Sequence, residues 1–383
     1  MKRIENLRVA WVLPVAWFYW HPVLSNFTKL FPDTKIFTGL WPGFAHGFEN
    51  SFPVEEVGKM NYLESSQTST GYGTGFTYLS PKIIGKLLQF KPDIIFADSF
   101  RIWTIFVLFL KPLGGWQVIL TYEGSSPSVD YRNSALRTFL RRAMVKAADA
   151  YITNSKAGKD YLTEFLHADE SRVFSMPYEV PDQTSLLGKL DNTGTENSAL
   201  QKPIFFFVGH LVRRKGVNFL LQACALLQKQ GHKDYTLLVA GDGPERVELE
   251  AFCETHNLTD CVKLLGKVDY DSLGTYFQQA DVFVLPTLED TWGMVVLEAM
   301  LFGKPVLCSQ WAGTAEMIVD GENGYVFDPH QPEKLAEFML WFMNNRSRIH
   351  DMGEKSQQIM AEHSPELVSQ SLKNVIASLL SGT

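Results

Sequence analysis

The sequence predicts two doubly wound α/β domains, each a parallel sheet covered by helices on both faces. Three observations carry this expectation. Short apolar runs alternate with helical stretches of about 10–15 residues along most of the chain. The length of 383 residues suits two domains of about 100–200 residues each. One polar stretch, Asp182 to Lys202 (DQTSLLGKLDNTGTENSALQK), lacks apolar periodicity and interrupts the alternation.

The first strand is expected at Arg8–Leu13. MKRIENLR followed by VAWVLPVAWFYW mimics the charged and apolar regions of a signal peptide. Glu5 in the charged region, Pro14 in the apolar run and the lack of a small-residue cleavage site argue for a strand instead. Further strands are expected at Asp93–Ala97, Gln117–Thr121 and Ala150–Asn154, with helices at Pro81–Phe90 and Ser134–Ala148. The second half is expected to hold strands at Ile204–Gly209, Thr236–Ala240, Val262–Leu265, Val282–Pro286 and Val306–Ser309. The next longest apolar run, Ile102 to Leu110, is far short of the ~20 residues of a spanning helix. These readings give domains at 1–182 and 203–355, a linker at 183–202 and a helical segment at 356–383 that is free to pack back on the first domain. Two such domains facing a central cleft would bind ligands there, because both present the carboxyl ends of their strands to it.

Composition narrows the function classes. Apolar residues make up 45% and charged residues 20%, which fits a globular protein and excludes a disordered one. A net charge of −7 argues against a nucleic-acid partner bound by bulk charge. The acidic excess lies in the second half. Cys224, Cys253, Cys261 and Cys308 form no CxxC pair and have no His at metal spacing, so reduced thiols and a cytoplasmic location are expected.

Two segments of the second half carry the chemistry. In FFFVGHLVRRKGVNF a buried strand ends at Gly209, and Arg213, Arg214 and Lys215 precede a helix beginning near Val217. Cations at a helix start beside a strand's carboxyl end make an anion site. In VLPTLEDTWGMVVLEAM a strand runs into Glu289 and Asp290. Gly293 lets the backbone approach a ligand closely, and a helix from Met294 to Leu301 carries Glu298 in its second turn. Asp290 and Glu298 are eight residues apart, at most about 12 Å along a helix. A sugar, a diphosphate and a ribose in a bent chain span a similar distance.

These segments resemble the nucleotide-binding half of the retaining glycosyltransferases with the GT-B fold, glycosyltransferase family 4 (glycosyl transferases group 1). The resemblance rests on GHLVRRKG at 209–216, GDGP at 241–244, LLGKV at 264–268, ADVFVLP at 280–286, DTWGMVVLEAM at 290–300 and GENGYVF at 321–327. It implies two Rossmann-like domains and transfer of a sugar from a nucleotide-diphosphate sugar to an acceptor hydroxyl of a glycan or glycolipid. It implies no cofactor and no metal. Lys215 and Arg214 would hold the donor diphosphate and Glu298 the ribose hydroxyls. Asp290 would contact the transferred sugar or the acceptor, with Glu289 as its rival. Gly209, His210, Arg213, Gly293, Met294 and Val295 complete the expected donor site. His210 replaces the family's usual Arg, Asp290 its usual Glu, and Pro14-Val15-Ala16-Trp17 its Gly-Gly loop after strand one. Glu123, in VILTYEGSSPS, stands where many relatives carry a His near the acceptor. SMPYEVPD at 175–182 resembles the hinge-side motif.

Asp269-Tyr270-Asp271 spells the DxD of metal-dependent transferases, but Asp271 is expected to cap a helix at Ser272–Ala280. The Gly241-Asp242-Gly243 turn has no GxGxxG and speaks against a dinucleotide enzyme. The helix Ser134–Ala148 carries Arg137, Arg141, Arg142 and Lys146 and no acid. Its expected apolar face is Leu136, Phe139, Leu140, Ala143 and Ala147. Such a helix suits an anionic membrane surface at the inner face of the membrane. The alternatives to a transferase are another GT-B enzyme, such as a phosphorylase, and a binding protein of the same fold with little turnover.

Overall fold

The computed structural model describes residues 4–66, 72, 74–188 and 200–381. Its contacts divide the chain into two compact units. One holds Met1–Thr68, Gly73–Val180 and His363–Thr383; the other holds Ser69–Tyr72 and Pro181–Glu362.

Among the described residues the first unit has nine strands: β1 (Val9–Val15), β2 (Thr34–Leu40), β3 (Val54–Glu56), β4 (Asn61–Ser66), β5 (Thr74–Tyr78), β6 (Ile94–Asp98), β7 (Gln117–Tyr122), β8 (Ala150–Thr153) and β9 (Val173–Ser175). Seven form one sheet in the order β3-β2-β1-β6-β7-β8-β9, and β4 pairs with β5 alone. Every pairing in the large sheet is parallel. Helices α1 (His21–Leu30), α2 (Ile83–Phe90), α3 (Ile102–Gly114) and α4 (Ala135–Ala147) belong to this unit. Trp11 on β1 stacks on Phe96 of the adjacent β6 with ring centroids 4.1 Å apart.

The second unit has a six-stranded parallel sheet: β10 (Ile204–Val208), β11 (Thr236–Ala240), β12 (Val262–Gly266), β13 (Val282–Leu285), β14 (Val306–Ser309) and β15 (Gly324–Phe327), in the order β12-β11-β10-β13-β14-β15. Phe205, Phe206 and Phe207 are fully buried on β10, as a strand covered on both faces requires. Helices α5 (Val217–Lys229) and α6 (Met294–Leu301) follow the two central strands. The last helix, α7 (Pro365–Ser381), returns to the first unit and packs on α1, where the Ser369 hydroxyl donates to Val23 O at 3.2 Å.

The doubly wound α/β class holds in both units. Strands β2, β3, β4, β5, β9 and β15 lie outside the expected set. β2 (TKIFTGL) is buried along most of its length and so shows no alternation, while β3, β9 and β15 have only three or four residues. The stretch read as linker contains a short helix, Gln183–Leu186, whose Gln183 amide donates to Leu301 O at 2.9 Å. Its residues 189–199 lie outside the described ones.

Two expectations are overturned. Asp271 does not cap a helix. It lies inside a 3-10 turn, Tyr270–Ser272, that runs directly into the helix Leu273–Gln279. The cap position falls on Asp269, which makes no side-chain capping bond. The second correction concerns α4. Its Arg141, read as one of the surface cations of the helix, is buried, while Leu136, Phe139 and Leu140 are exposed. The Arg141 guanidinium donates to Asp130 O at 2.8 Å, the Tyr161 hydroxyl at 2.7 Å and Val129 O at 2.9 Å. It also lies over the Phe100 ring at 4.9 Å. These partners fix the rotation of α4 and take Arg141 out of the surface charge expected of that helix. Arg141→Met should therefore lower the unfolding free energy by about 3 kcal/mol, since hydrogen bonds to a charged donor are worth about 1.5–3 kcal/mol each and are not additive. Urea denaturation checks this, with the exposed Arg137→Met staying within about 0.5 kcal/mol of wild type as the control.

Candidate active site

β10 and β13 are neighbours at the point where the strand order of the second sheet reverses. Ligands of open α/β sheets bind outside the carboxyl ends of strands at such a point. The loop after β10 and the loop after β13 are tied together there. Leu288 N donates to Arg214 O at 2.7 Å, the Thr287 hydroxyl donates to the same oxygen at 3.0 Å, and Arg214 Nη1 donates to Glu289 O at 2.8 Å. Gly216 ends the cationic turn at φ +67°, where a Cβ would lie 2.0 Å from Pro286 O. Only glycine permits this approach of the two backbones.

The cross-tied loops bring Lys215, Arg214 and Asp290 together. Lys215 Nζ donates to Asp290 Oδ2 at 2.5 Å, and Arg214 Nη1 stands 3.8 Å from the same oxygen. The Tyr72 hydroxyl donates to Asp290 Oδ1 at 3.1 Å and accepts from Thr291 N at 3.3 Å. Arg214 lies over the Tyr72 ring at 3.9 Å. Burial pushes the Asp290 pKa up, but Lys215, Arg214 and these hydrogen bonds outweigh it and hold the carboxyl below its ordinary value. Asp290 is not at the helix start. It forms a bridge with Ala312, and Gly293 at φ +97° occupies the position before α6.

Glu298 lies in the second turn of α6 and is buried, with no cation among the described residues to favour its charge. Burial pushes its pKa up to about 7, against the pull of the neighbouring Tyr270 hydroxyl. Its Oε2 has no hydrogen-bond partner among the described residues. A buried acceptor left open in this way is suited to a ligand hydroxyl. Met294 and Val295, half-buried in the first turn, present backbone amides that have no partner within the helix.

A cleft of about 660 Å³ opens at the carboxyl ends of β10, β11 and β12, lined by Gly209, His210, Gly241, Asp242, Lys267 and Val268 among others. His210 and Arg213 are exposed. Glu123 belongs to the first unit, one residue past β7. Its charge, after burial itself, helps to raise the pKa of buried Glu179, whose carboxylate accepts from Asn154 Nδ2 at 2.9 Å. Sequence reasoning passed over Tyr72, Tyr270, Lys267 and Glu179. Tyr72 stands as a lone aromatic between glycines and Tyr270 between two aspartates. Lys267 and Glu179 lie inside the LLGKV and SMPYEVPD segments already singled out.

Glu298 gives this site a pH signature. A carboxyl whose folded pKa is raised takes up protons on folding, so stability declines as pH rises from its ordinary 4.5 to about 7. At 1.36 kcal/mol per unit the decline is on the order of 3 kcal/mol. Denaturation of wild type and Glu298→Gln from pH 4.5 to 8 should show the variant gaining on wild type across that window. Parallel curves would place Glu298 in contact with solvent.

The family model described as Glycosyl transferases group 1 matches residues 191–359, and that of Glycosyltransferase Family 4 matches residues 59–177. An uncharacterized glycosyltransferase of Methanocaldococcus jannaschii, MJ1178, is 27% identical over 261 residues, 68% of each chain. A D-inositol 3-phosphate glycosyltransferase of Corynebacterium urealyticum is 26% identical over 260 residues, 65% of this chain and 61% of the relative. Among solved structures, Anabaena Alr3699/HepE in complex with UDP superposes with a TM-score of 0.73 at 18% identity, over 98% of this chain and 100% of that one. That protein has also been solved with UDP-glucose. The two family matches, one on each sheet-bearing part of the chain and together covering most of it, make this protein a GT-B glycosyltransferase of family 4, the glycosyl transferases group 1.

Proposed function

We propose that the protein is a retaining, metal-independent glycosyltransferase that moves a sugar from a nucleotide-diphosphate sugar to an acceptor hydroxyl of a carbohydrate or lipid-linked glycan. The observation that carries this reading is the switch-point arrangement: two cations on one loop, the start of α6 on the next, and beyond it a buried carboxylate with an open oxygen. The UDP and UDP-glucose complexes of Alr3699/HepE support a nucleotide-sugar donor.

In this reading Lys215, Arg214 and the amides of Met294 and Val295 hold the diphosphate. Glu298 accepts from the ribose hydroxyls. The cleft lined by Gly209, His210 and Lys267 takes the base, and Arg213 stands outside it as a long-range cation. The bond from the sugar's anomeric carbon to the diphosphate oxygen breaks. The acceptor oxygen bonds to that carbon on the same face, and the acceptor proton passes to the departing diphosphate. Charge grows on the leaving oxygens as the bond breaks, and the fixed cations and helix dipole stabilise it without reorganisation. Asp290 faces the sugar and, before the donor enters, neutralises Lys215. Glu123 serves the acceptor side. The four buried, free cysteines suit a reducing compartment, so the reading places the reaction in the cytoplasm.

Two experiments test this assignment. Lys215→Ala should weaken nucleotide diphosphate by about 10- to 100-fold, the worth of a charge-assisted contact of about 1.5–3 kcal/mol. Asp290→Asn should leave that affinity unchanged or slightly improved, because the Asp290 carboxylate competes with diphosphate for the same ammonium group, while kcat falls. Isothermal titration read beside turnover checks both. Wild-type affinity or tighter binding by Lys215→Ala, or binding lost in Asp290→Asn, would sink the assignment. Separately, NMR of the product should show the donor's anomeric configuration kept. Turnover should persist in EDTA and in the Asp269→Asn, Asp271→Asn double variant. An inverted product would remove the retaining mechanism, and activity lost in EDTA and restored by magnesium would remove metal independence.

A further inference from the structure

Helices α3 and α4 lie against each other on the first unit, with Lys111 Nζ of α3 donating to Ala147 O at the end of α4 at 2.9 Å. Both turn large apolar side chains outward. Phe109 is 81% exposed and Leu113 73% on α3; Leu136 and Phe139 are each 69% exposed on α4. Ile105 and Leu140 add smaller exposed areas. On α3 the exposed apolar residues recur every fourth position, 105, 109 and 113, so they form one stripe. Isolated surface hydrophobics need no explanation, but a patch spread over two adjacent helices marks an interaction surface.

The rotation of α4 shows that this exposure is built in. A basic helix ordinarily turns its cations to water and its leucines to the core. Here Arg141 is the residue turned inward, held by Asp130 O, Val129 O and the Tyr161 hydroxyl. Leu136 and Phe139 are thereby fixed outside. Arg137, Arg142 and Lys146 flank them on the same helix and are exposed. Neither helix contains a single Asp or Glu.

We propose that the outer faces of α3 and α4 form a membrane-insertion surface. Phe109, Leu113, Leu136 and Phe139 enter the acyl boundary of an anionic bilayer, and Arg137, Arg142 and Lys146 lie at headgroup level. Charge selects the occupant. A second copy of the same face would set these cations against identical cations. A zwitterionic bilayer would meet the apolar residues and leave the cations unmatched. An anionic leaflet satisfies both. This goes beyond the donor chemistry, because apolar insertion is a property of the first unit alone and is read without turnover.

The test is partition of the full chain onto vesicles of three parts phosphatidylcholine to one part phosphatidylglycerol, followed by co-sedimentation. Wild type should bind these and bind pure phosphatidylcholine at least about 10-fold less. Phe109→Ser with Phe139→Ser should lower binding about 10-fold or more, with an unchanged unfolding midpoint because both side chains are exposed. Arg137→Gln, Arg142→Gln and Lys146→Gln together should lower binding at low salt and remove most of its salt dependence. Absence of wild-type binding, or equal binding by the double serine variant, overturns the proposal. So does a dimer in size-exclusion chromatography that the double serine variant dissolves, since the face would then belong to a second copy.

Discussion

The parallel pairing of β10 with β13, which sets Phe205 beside Val282 and Phe206 beside Phe283, ends two strands distant in sequence at the same level of one sheet. The two following loops must then run side by side, and the left-handed Gly216 lets them touch backbone to backbone. From this constraint follow the hydrogen bonds from Thr287 and Leu288 to Arg214 O, and with them the meeting of Lys215 and Asp290. The same loop leads from β13 to Gly293 and the start of α6. One register decision in the sheet therefore positions the cations, the first carboxylate and the helix that carries the second.

The two carboxylates show how burial is resolved in opposite ways on adjoining segments. Asp290 is buried beside two cations and a tyrosine hydroxyl, so its charge is retained. Glu298 is buried with only Tyr270 to favour its charge, so its proton is held to about pH 7. An ionised group without a partner in such a place is costly. Asp290 is thus satisfied and Glu298 Oε2 is left open among the described residues, and in the proposed function the hydroxyl of the donor's ribose would restore that hydrogen bond.

Much of this was legible in the residues. The strands β10, β11, β13 and β14 are continuous apolar runs, and their carboxyl-end loops announce themselves by Gly, Lys, Asp and Glu in a fixed order. The positions of Lys215, Asp290, Gly293 and Glu298 follow from those strands. What escaped is what only three-dimensional packing decides. Tyr72 reaches Asp290 across 218 positions of sequence, and no local pattern encodes such a partner. Tyr270 reads as an aromatic between two aspartates until the 3-10 turn shows it half-buried beside Glu298. On α4 the periodicity is real but its phase is inverted, because three fixed oxygen acceptors outbid the leucines for the interior.

The first unit repeats the sheet logic with a different electrostatic result. Asp98 ends β6, Glu123 follows β7 and Asn154 follows β8, so three polar side chains collect at the carboxyl end of the sheet. Glu179 joins them, buried, accepting from Asn154, with burial and then the charge of Glu123 raising its pKa well above the ordinary value. Burial also raises the pKa of Asp98, and the Arg101 guanidinium, 2.9 Å away, opposes the rise. Where the second unit gathers two cations around one acid, the first gathers three acids around one cation. The second arrangement is matched to a ligand that brings negative charge. In the proposed function the first would meet a ligand rich in hydroxyl donors, because a carboxylic acid and carboxylates held close together offer acceptors and repel anions. Donor and acceptor of a glycosyl transfer differ in this respect, one a diphosphate and the other a hydroxyl compound. The carboxyl ends of the two sheets carry charge of the sign that each would need.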